Sequence, residues 1–325
     1  MPPHRLHLGS GHYYYFVIED PIFFVGWLMH SFFSQTLTVL DLTDCKDVPL
    51  TLFLVCPNLR EVYLESVKVF ESGGDEYPDE QYSGREFKVP ALELLSYRNS
   101  KSLVKQMITP PPKFSTAVVV WSNLRGLKLY PHKKEEIVFL QSILDAACNT
   151  LEELYLFNGQ VEQIRVGKMW SFLSMTLIWQ VSQQEQLNFA GLVDLRHLPN
   201  LHDFGIHAFF KCDAPEYAVL RDINLVLSTI PKANQITKLS LYFTIRGDRP
   251  FDGCLEENWI GTCDEVVRIS AGKMLELNLE MSFIEIPANL PYPPPGRDEL
   301  YEHIKEKMAS LSEYPNICTH WHLHS

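Results

Sequence analysis

His320, His322 and His324 are the residues of this chain whose type and spacing best suit chemistry. At i, i+2 and i+4 on a strand they would face the same way. Imidazole nitrogens in such a row suit zinc or copper, which makes a metal-binding protein or metal-dependent enzyme the alternative reading. No carboxylate or cysteine stands beside them at motif spacing, and Cys318 is the nearest thiol. The competing reading is a last irregular strand. Three other short signals lack their context. Gly9-Ser10-Gly11 has neither the nucleophile-elbow nor the phosphate-loop spacing. Arg246-Gly247-Asp248 reads as a polar turn, and Asp75 to Glu80 lacks the calcium-loop pattern. We assign no catalytic residue, metal ligand or cofactor from the sequence.

Composition narrows the partners. The net charge of −12 argues against nucleic acid, whose binding rests on clustered Lys and Arg, and against anionic membranes. The seven cysteines are odd in number and form no C-x-x-C pair, so they read as free thiols of a reducing compartment, cytoplasm or nucleus. Tyr13 to Phe33 is apolar but broken by Glu19-Asp20-Pro21. The run Ile22 to Met29 is far below the ~20 residues of a membrane helix.

One phrase recurs eight times: an apolar residue, two variable, an apolar one, one variable, an apolar one. Its copies are Leu37/Leu40/Leu42, Leu59/Val62/Leu64, Leu92/Leu95/Tyr97, Leu124/Leu127/Leu129, Leu151/Leu154/Leu156, Leu201/Phe204/Ile206, Ile236/Leu239/Leu241 and Met274/Leu277/Leu279. The last two positions have the period of a strand with one buried face. Helical spacing appears between phrases, over Lys133 to Cys148, Glu216 to Ile230 and Glu299 to Leu311. Glu136 reads as an exposed residue of the first of these helices. Strand and helix in alternation imply an α/β fold with parallel strands. Self-similarity of this length implies a solenoid. The separations run from 22 (Leu37 to Leu59) to 50 (Leu151 to Leu201), so the array is irregular. The longest gap suggests one more unit near Trp170 to Trp179. The chain reads as a single domain, with an N-terminal cap over 1–35, repeats over 36–280, and a Pro-rich loop, helix and C-terminal cap over 281–325.

The phrase has a lead-in. Cys56-Pro57-Asn58-Leu59, Leu198-Pro199-Asn200-Leu201, Trp121-Ser122-Asn123-Leu124 and Cys148-Asn149-Thr150-Leu151 repeat it, and Tyr314-Pro315-Asn316-Ile317 does so again before the histidines. Leu37 to Cys45 fits the cysteine-containing repeat pattern. From Thr36 to Leu279 the chain resembles the leucine-rich-repeat region of F-box proteins, as in mushroom-forming fungi. The resemblance implies an irregular leucine-rich-repeat solenoid with strands on the concave side. It implies a non-catalytic substrate receptor of a ubiquitin ligase. A separate F-box, for which Met1 to Gln35 has no Leu-Pro opening, would recruit a Skp1-type adaptor.

Strand alternation itself nominates a binding face. The residues between and beside the apolar ones point to the concave side. Among them Tyr63, Glu65, Arg98, Lys128, Tyr130, Tyr155, Phe157, His207, Tyr242 and Asn278 are the candidate binding residues. Aromatic anchors among polar neighbours are what protein interfaces use. The expected partner is another protein. Tyr130, Tyr155 and Phe157 are expected on adjacent strands, with Tyr155 facing solvent.

Overall fold

In each phrase the second and third apolar residues lie on a strand and are at most 3% exposed. The period of two makes this possible, because alternate side chains of a strand share a face. The computed structural model describes residues 4–9, 16–17, 35–69, 88–110, 117–131, 134–157, 189–210, 219–246, 254, 257–284 and 297–324. The chain is α/β, with parallel strands, and falls into two units.

The first unit comprises Met1–Tyr130 and Ser142–Leu151. Its strands are β1 (Arg5–Gly9), β3 (Val39–Thr43), β5 (Glu61–Glu65), β6 (Leu94–Arg98) and β7 (Gly126–Tyr130), paired in that order and all parallel. A small parallel pair joins β2 (Phe16–Val17) to β4 (Cys45–Lys46). Helices α1 (Thr51–Val55) and α2 (Lys101–Ile108) follow two of the strands. After β3, β5 and β6 the chain turns through a left-handed residue, Asp44, Ser66 and Asn99. Asn and Asp adopt that conformation more readily than most residues.

The second unit comprises Pro131–Gln141 and Glu152–Ser325. Its strands are β8 (Glu153–Leu156), β9 (Asp203–Phe210), β10 (Lys238–Arg246), β11 (Leu275–Ile284) and β12 (Ile317–His324), again parallel and paired in order. The expected helix over Lys133 to Cys148 divides into α3 (Lys134–Ile137), in this unit, and α4 (Leu140–Ala146), whose residues from Ser142 on belong to the first unit. The other two appear as α5 (Val219–Ser228) and α7 (Arg297–Lys307), the latter followed by a 3-10 turn at Ala309–Glu313. The helix α6 (Trp259–Ser270) is additional. Phe210, Phe243 and Trp259 pack together with ring centroids 5.3–6.0 Å apart, and the Trp259 indole N–H donates to the Cys254 carbonyl.

The lead-in has a structural reason. The residue before the leading apolar one donates to a backbone carbonyl at or just before the start of the preceding phrase: Asn58 Nδ2 to Gln35 O, Thr150 Oγ1 to Leu124 O, and Asn316 Nδ2 to Lys273 O, at 2.8–2.9 Å. Each bond satisfies a carbonyl in the turn that a ladder cannot reach.

Four expectations change. Residues 1–35 contain a strand, since Leu6 and Leu8 of β1 align with Leu40 and Leu42. Pro3 stands where the phrase needs an apolar residue, which hid it. Met274 is 65% exposed, because β11 begins its buried alternation at Leu275. The last strand, expected as irregular, is β12 and pairs in register with β11 over eight residues. Glu136 is buried, at 4% exposure, as is its neighbour Ile137. Trp170 to Trp179, Asp75 to Glu80, Ser10-Gly11, Gly247-Asp248 and Cys212 lie outside the described residues. No helix among the described residues is long and apolar enough to cross a membrane.

Candidate binding faces

The residues between the buried ones line a second face in each unit. In the first unit β1, β3 and β5 gather charge. Arg5 Nη2 and His7 Nδ1 both meet Asp41 Oδ2, at 3.2 and 3.1 Å. The Arg5 guanidinium also sits 5.9 Å from the Tyr63 ring centre, a cation–π distance. The Tyr63 hydroxyl donates to Glu61 Oε2 at 3.0 Å. Burial first, then this carboxylate, raises its pKa. Farther along, Glu65 pairs with Arg98 at 3.3 Å, and Tyr130 lies across from Arg98 in register. Expected on an open face, the Arg98 side chain is only 11% exposed. Lys128 and Tyr130 are half-buried.

In the second unit register aligns Glu153, Asp203, Lys238 and Glu276 as one row. Tyr155, Gly205, Ser240 and Asn278 form the next, and His207, Tyr242 and Glu280 the third. Phe157, one residue beyond β8, joins the third row by contact. It stacks on Tyr155 at 5.9 Å, nearly parallel, and meets Tyr242 at 5.1 Å and His207 at 6.5 Å. Four of the candidate residues therefore form one aromatic patch. Tyr155 and Phe157 are neighbours as expected, whereas Tyr130 belongs to the first unit.

Gly205 is the reason the patch lies flat. A Cβ there would stand 2.3 Å from Tyr155 Cδ1 and 2.7 Å from Cε1, inside any real contact. The bare backbone lets the Tyr155 ring cover β9, and its hydroxyl reaches Asp203 Oδ2 at 2.7 Å. Tyr155 is thus half-buried, a correction to its expected solvent-facing position. Burial, followed by the Asp203 hydrogen bond and charge, raises its pKa strongly. The Tyr242 hydroxyl is raised too, chiefly by burial. Lys238 Nζ meets the same Asp203 oxygen at 3.3 Å. Burial works against its charge, and the Asp203 carboxylate outweighs that and raises its pKa.

His207 is buried, at 8% exposure, rather than open as expected. The aromatic rings cover it, and its Nε2 shares a 2.9 Å hydrogen bond with Thr244 Oγ1, which continues to Ser282 Oγ at 2.8 Å. This polar chain ties β9, β10 and β11 together beside the aromatic rings. Asn278 is half-buried and donates to Glu276 Oε1. Asp203 and Gly205 fall on the face that strand alternation selects but are not among the ten candidate binding residues. An isolated glycine inside a strand was the available signal, since it often marks close approach.

His320, His322 and His324 share one face of β12 and are exposed. His324 Nε2 lies 3.2 Å from Glu280 Oε2, and His320 Nε2 lies 3.4 Å from Cys318 Sγ. Among the described residues no group of three or more His, Cys, Asp and Glu side chains is gathered to hold a metal ion. No family model, curated protein or solved structure matches the chain.

Proposed function

We propose that each unit is a run of irregular leucine-rich repeats and that the chain is a non-catalytic protein-binding module. The second unit takes its partner through Tyr155, Phe157 and Tyr242. The observation that carries this reading is the contiguous aromatic patch, seated over Gly205 and bordered by Glu153, Asp203, Lys238 and Glu276. Aromatic anchors with a polar surround concentrate binding energy because they exclude water at low conformational cost. The resemblance to F-box proteins suggests the specific role, a substrate receptor for ubiquitination, in which a Skp1-type adaptor is engaged only if an F-box accompanies this chain.

The test is a photo-crosslinking amino acid placed at position 157 and, as control, at the exposed Asp264 of α6. The expected result is a discrete crosslinked partner from position 157 alone, lost when Tyr242→Ala is added. Equal crosslinking from both positions, or no effect of Tyr242→Ala on a folded protein, would move the binding surface elsewhere. Co-purification of a Skp1-type adaptor with the protein expressed from its native locus tests the ligase role separately.

A further inference from the structure

We infer that Cys318 and His320 form half of a zinc site that a second copy of this chain completes. Their donor atoms, Sγ and Nε2, stand 3.4 Å apart. A zinc ion bound at about 2.3 Å to sulfur and about 2.0 Å to nitrogen, in tetrahedral geometry, needs a separation of about 3.5 Å. The pair already has that spacing. Both side chains are exposed, so an ion reaches them without any rearrangement of the core. His324 is turned toward Glu280 instead, which separates this pair from the simple row of three histidines.

One chain supplies two donors, and a closed zinc site takes four. Asn278, the register neighbour of His320, directs its amide to Glu276. The described residues gather no third His, Cys, Asp or Glu around this pair, and in our proposal a second copy supplies the remaining two donors. The position of β12 suggests the source. Among the described residues it pairs with β11 alone, at the end of the strand order. An unpaired strand edge is a template for another strand.

Two copies of β12 paired antiparallel about Thr319 place Cys318 of each opposite His320 of the other. The two-fold axis runs perpendicular to the sheet, so the same face of both copies points the same way. Side chains directly opposite have Cβ atoms about 4.5–5.5 Å apart. The two Cys–His pairs are about 6.8 Å apart along the strands. Four donors, two thiolates and two imidazoles, then surround the axis on one face. That is a Cys2His2 set, the chemistry of structural zinc. Binding releases the two thiol protons to solvent and joins the two edges.

The experiment is size-exclusion chromatography with light scattering on the full chain under a non-thiol reductant, first chelated and then with zinc added. The expected result is a monomer that doubles in mass with one zinc per two chains. Cys318→Ser and His320→Ala should each abolish the zinc-dependent dimer, while His324→Ala keeps it. Cobalt in place of zinc should give the intense visible absorption of a tetrahedral thiolate site, lost in Cys318→Ser. Because both positions are exposed, circular dichroism should be unchanged in the variants. Zinc bound one per chain without dimerisation, a dimer that survives Cys318→Ser, or no response to zinc would each overturn the proposal.

Discussion

Replacing Gly205 by Ala tests whether the aromatic patch is a built feature. The added methyl would lie 2.3 Å from Tyr155 Cδ1, so the ring must swing off β9. Two contacts go with it. The 2.7 Å hydrogen bond to Asp203 is charge-assisted, and on a half-buried face it contributes about 1.5 kcal/mol. The stack on Phe157 adds about 0.5 kcal/mol. Against these losses, Ala in a strand interior gains roughly 0.5–1 kcal/mol over Gly. The net expectation is a loss of about 1–1.5 kcal/mol, measured by urea denaturation. The decisive comparison uses a Tyr155→Ala background. With the ring gone, the next atom the methyl meets is Tyr242 Cε2 at 3.3 Å, which gives by a few tenths of an ångström. There Gly205→Ala should be neutral or stabilising by about 0.5 kcal/mol. The sign change is the signature of the ring-over-glycine contact. If Gly205→Ala costs the same in both backgrounds, the seating of Tyr155 over Gly205 is wrong and the patch has another basis.

Three further predictions follow from burial and capping. Leu127→Ala and Leu154→Ala, both at 0% exposure, should each cost about 2–5 kcal/mol, while Lys128→Ala, half-buried at the edge of the core, should cost about 0.5 kcal/mol or less by the same denaturation assay. Glu257→Ala should cost about 1–2 kcal/mol, because its two carboxylate oxygens accept the N–H groups of Val219 and Leu220 at the start of α5, and hydrogen exchange at those two amides should rise first. In native protein a maleimide should label Cys318 and the half-buried Cys148 before the buried Cys45, Cys56, Cys254 and Cys263. Burial pushes the Cys56 thiol up to about 12 and Cys45 to about 11, which suppresses the reactive thiolate. Denatured, unreduced chain should then label at all seven, and a protected pair would contradict the free-thiol assignment.

What the repeated phrase determined by itself was local and periodic. Leu40, Leu42, Leu239 and Leu241 had to share a face because side chains of a strand alternate. The stripes Leu220/Ile223/Leu227 and Leu300/Ile304/Met308 had to be helical faces because their spacing matches 3.6 residues per turn. Tyr314-Pro315-Asn316-Ile317 pointed to a last strand, and β12 is there. The face carrying Tyr155, Phe157 and Tyr242 could be read as well, since alternation sets it once the buried residues are known.

Pairing between distant segments decided the rest. Register brings Gly205 under Tyr155, 50 residues earlier, and no local pattern links the two. His207 reads as an open position on β9, yet neighbouring strands supply the rings that bury it and the Thr244 hydroxyl that satisfies it. Glu257 caps a helix 37 to 38 residues before it. Arg98 and Glu136 are charged, so composition places them in water, and only the packing around them takes them out. Periodicity tells which residues share a face of one element; what lies across from them depends on which strands pair and in what register, and that is a property of the folded chain.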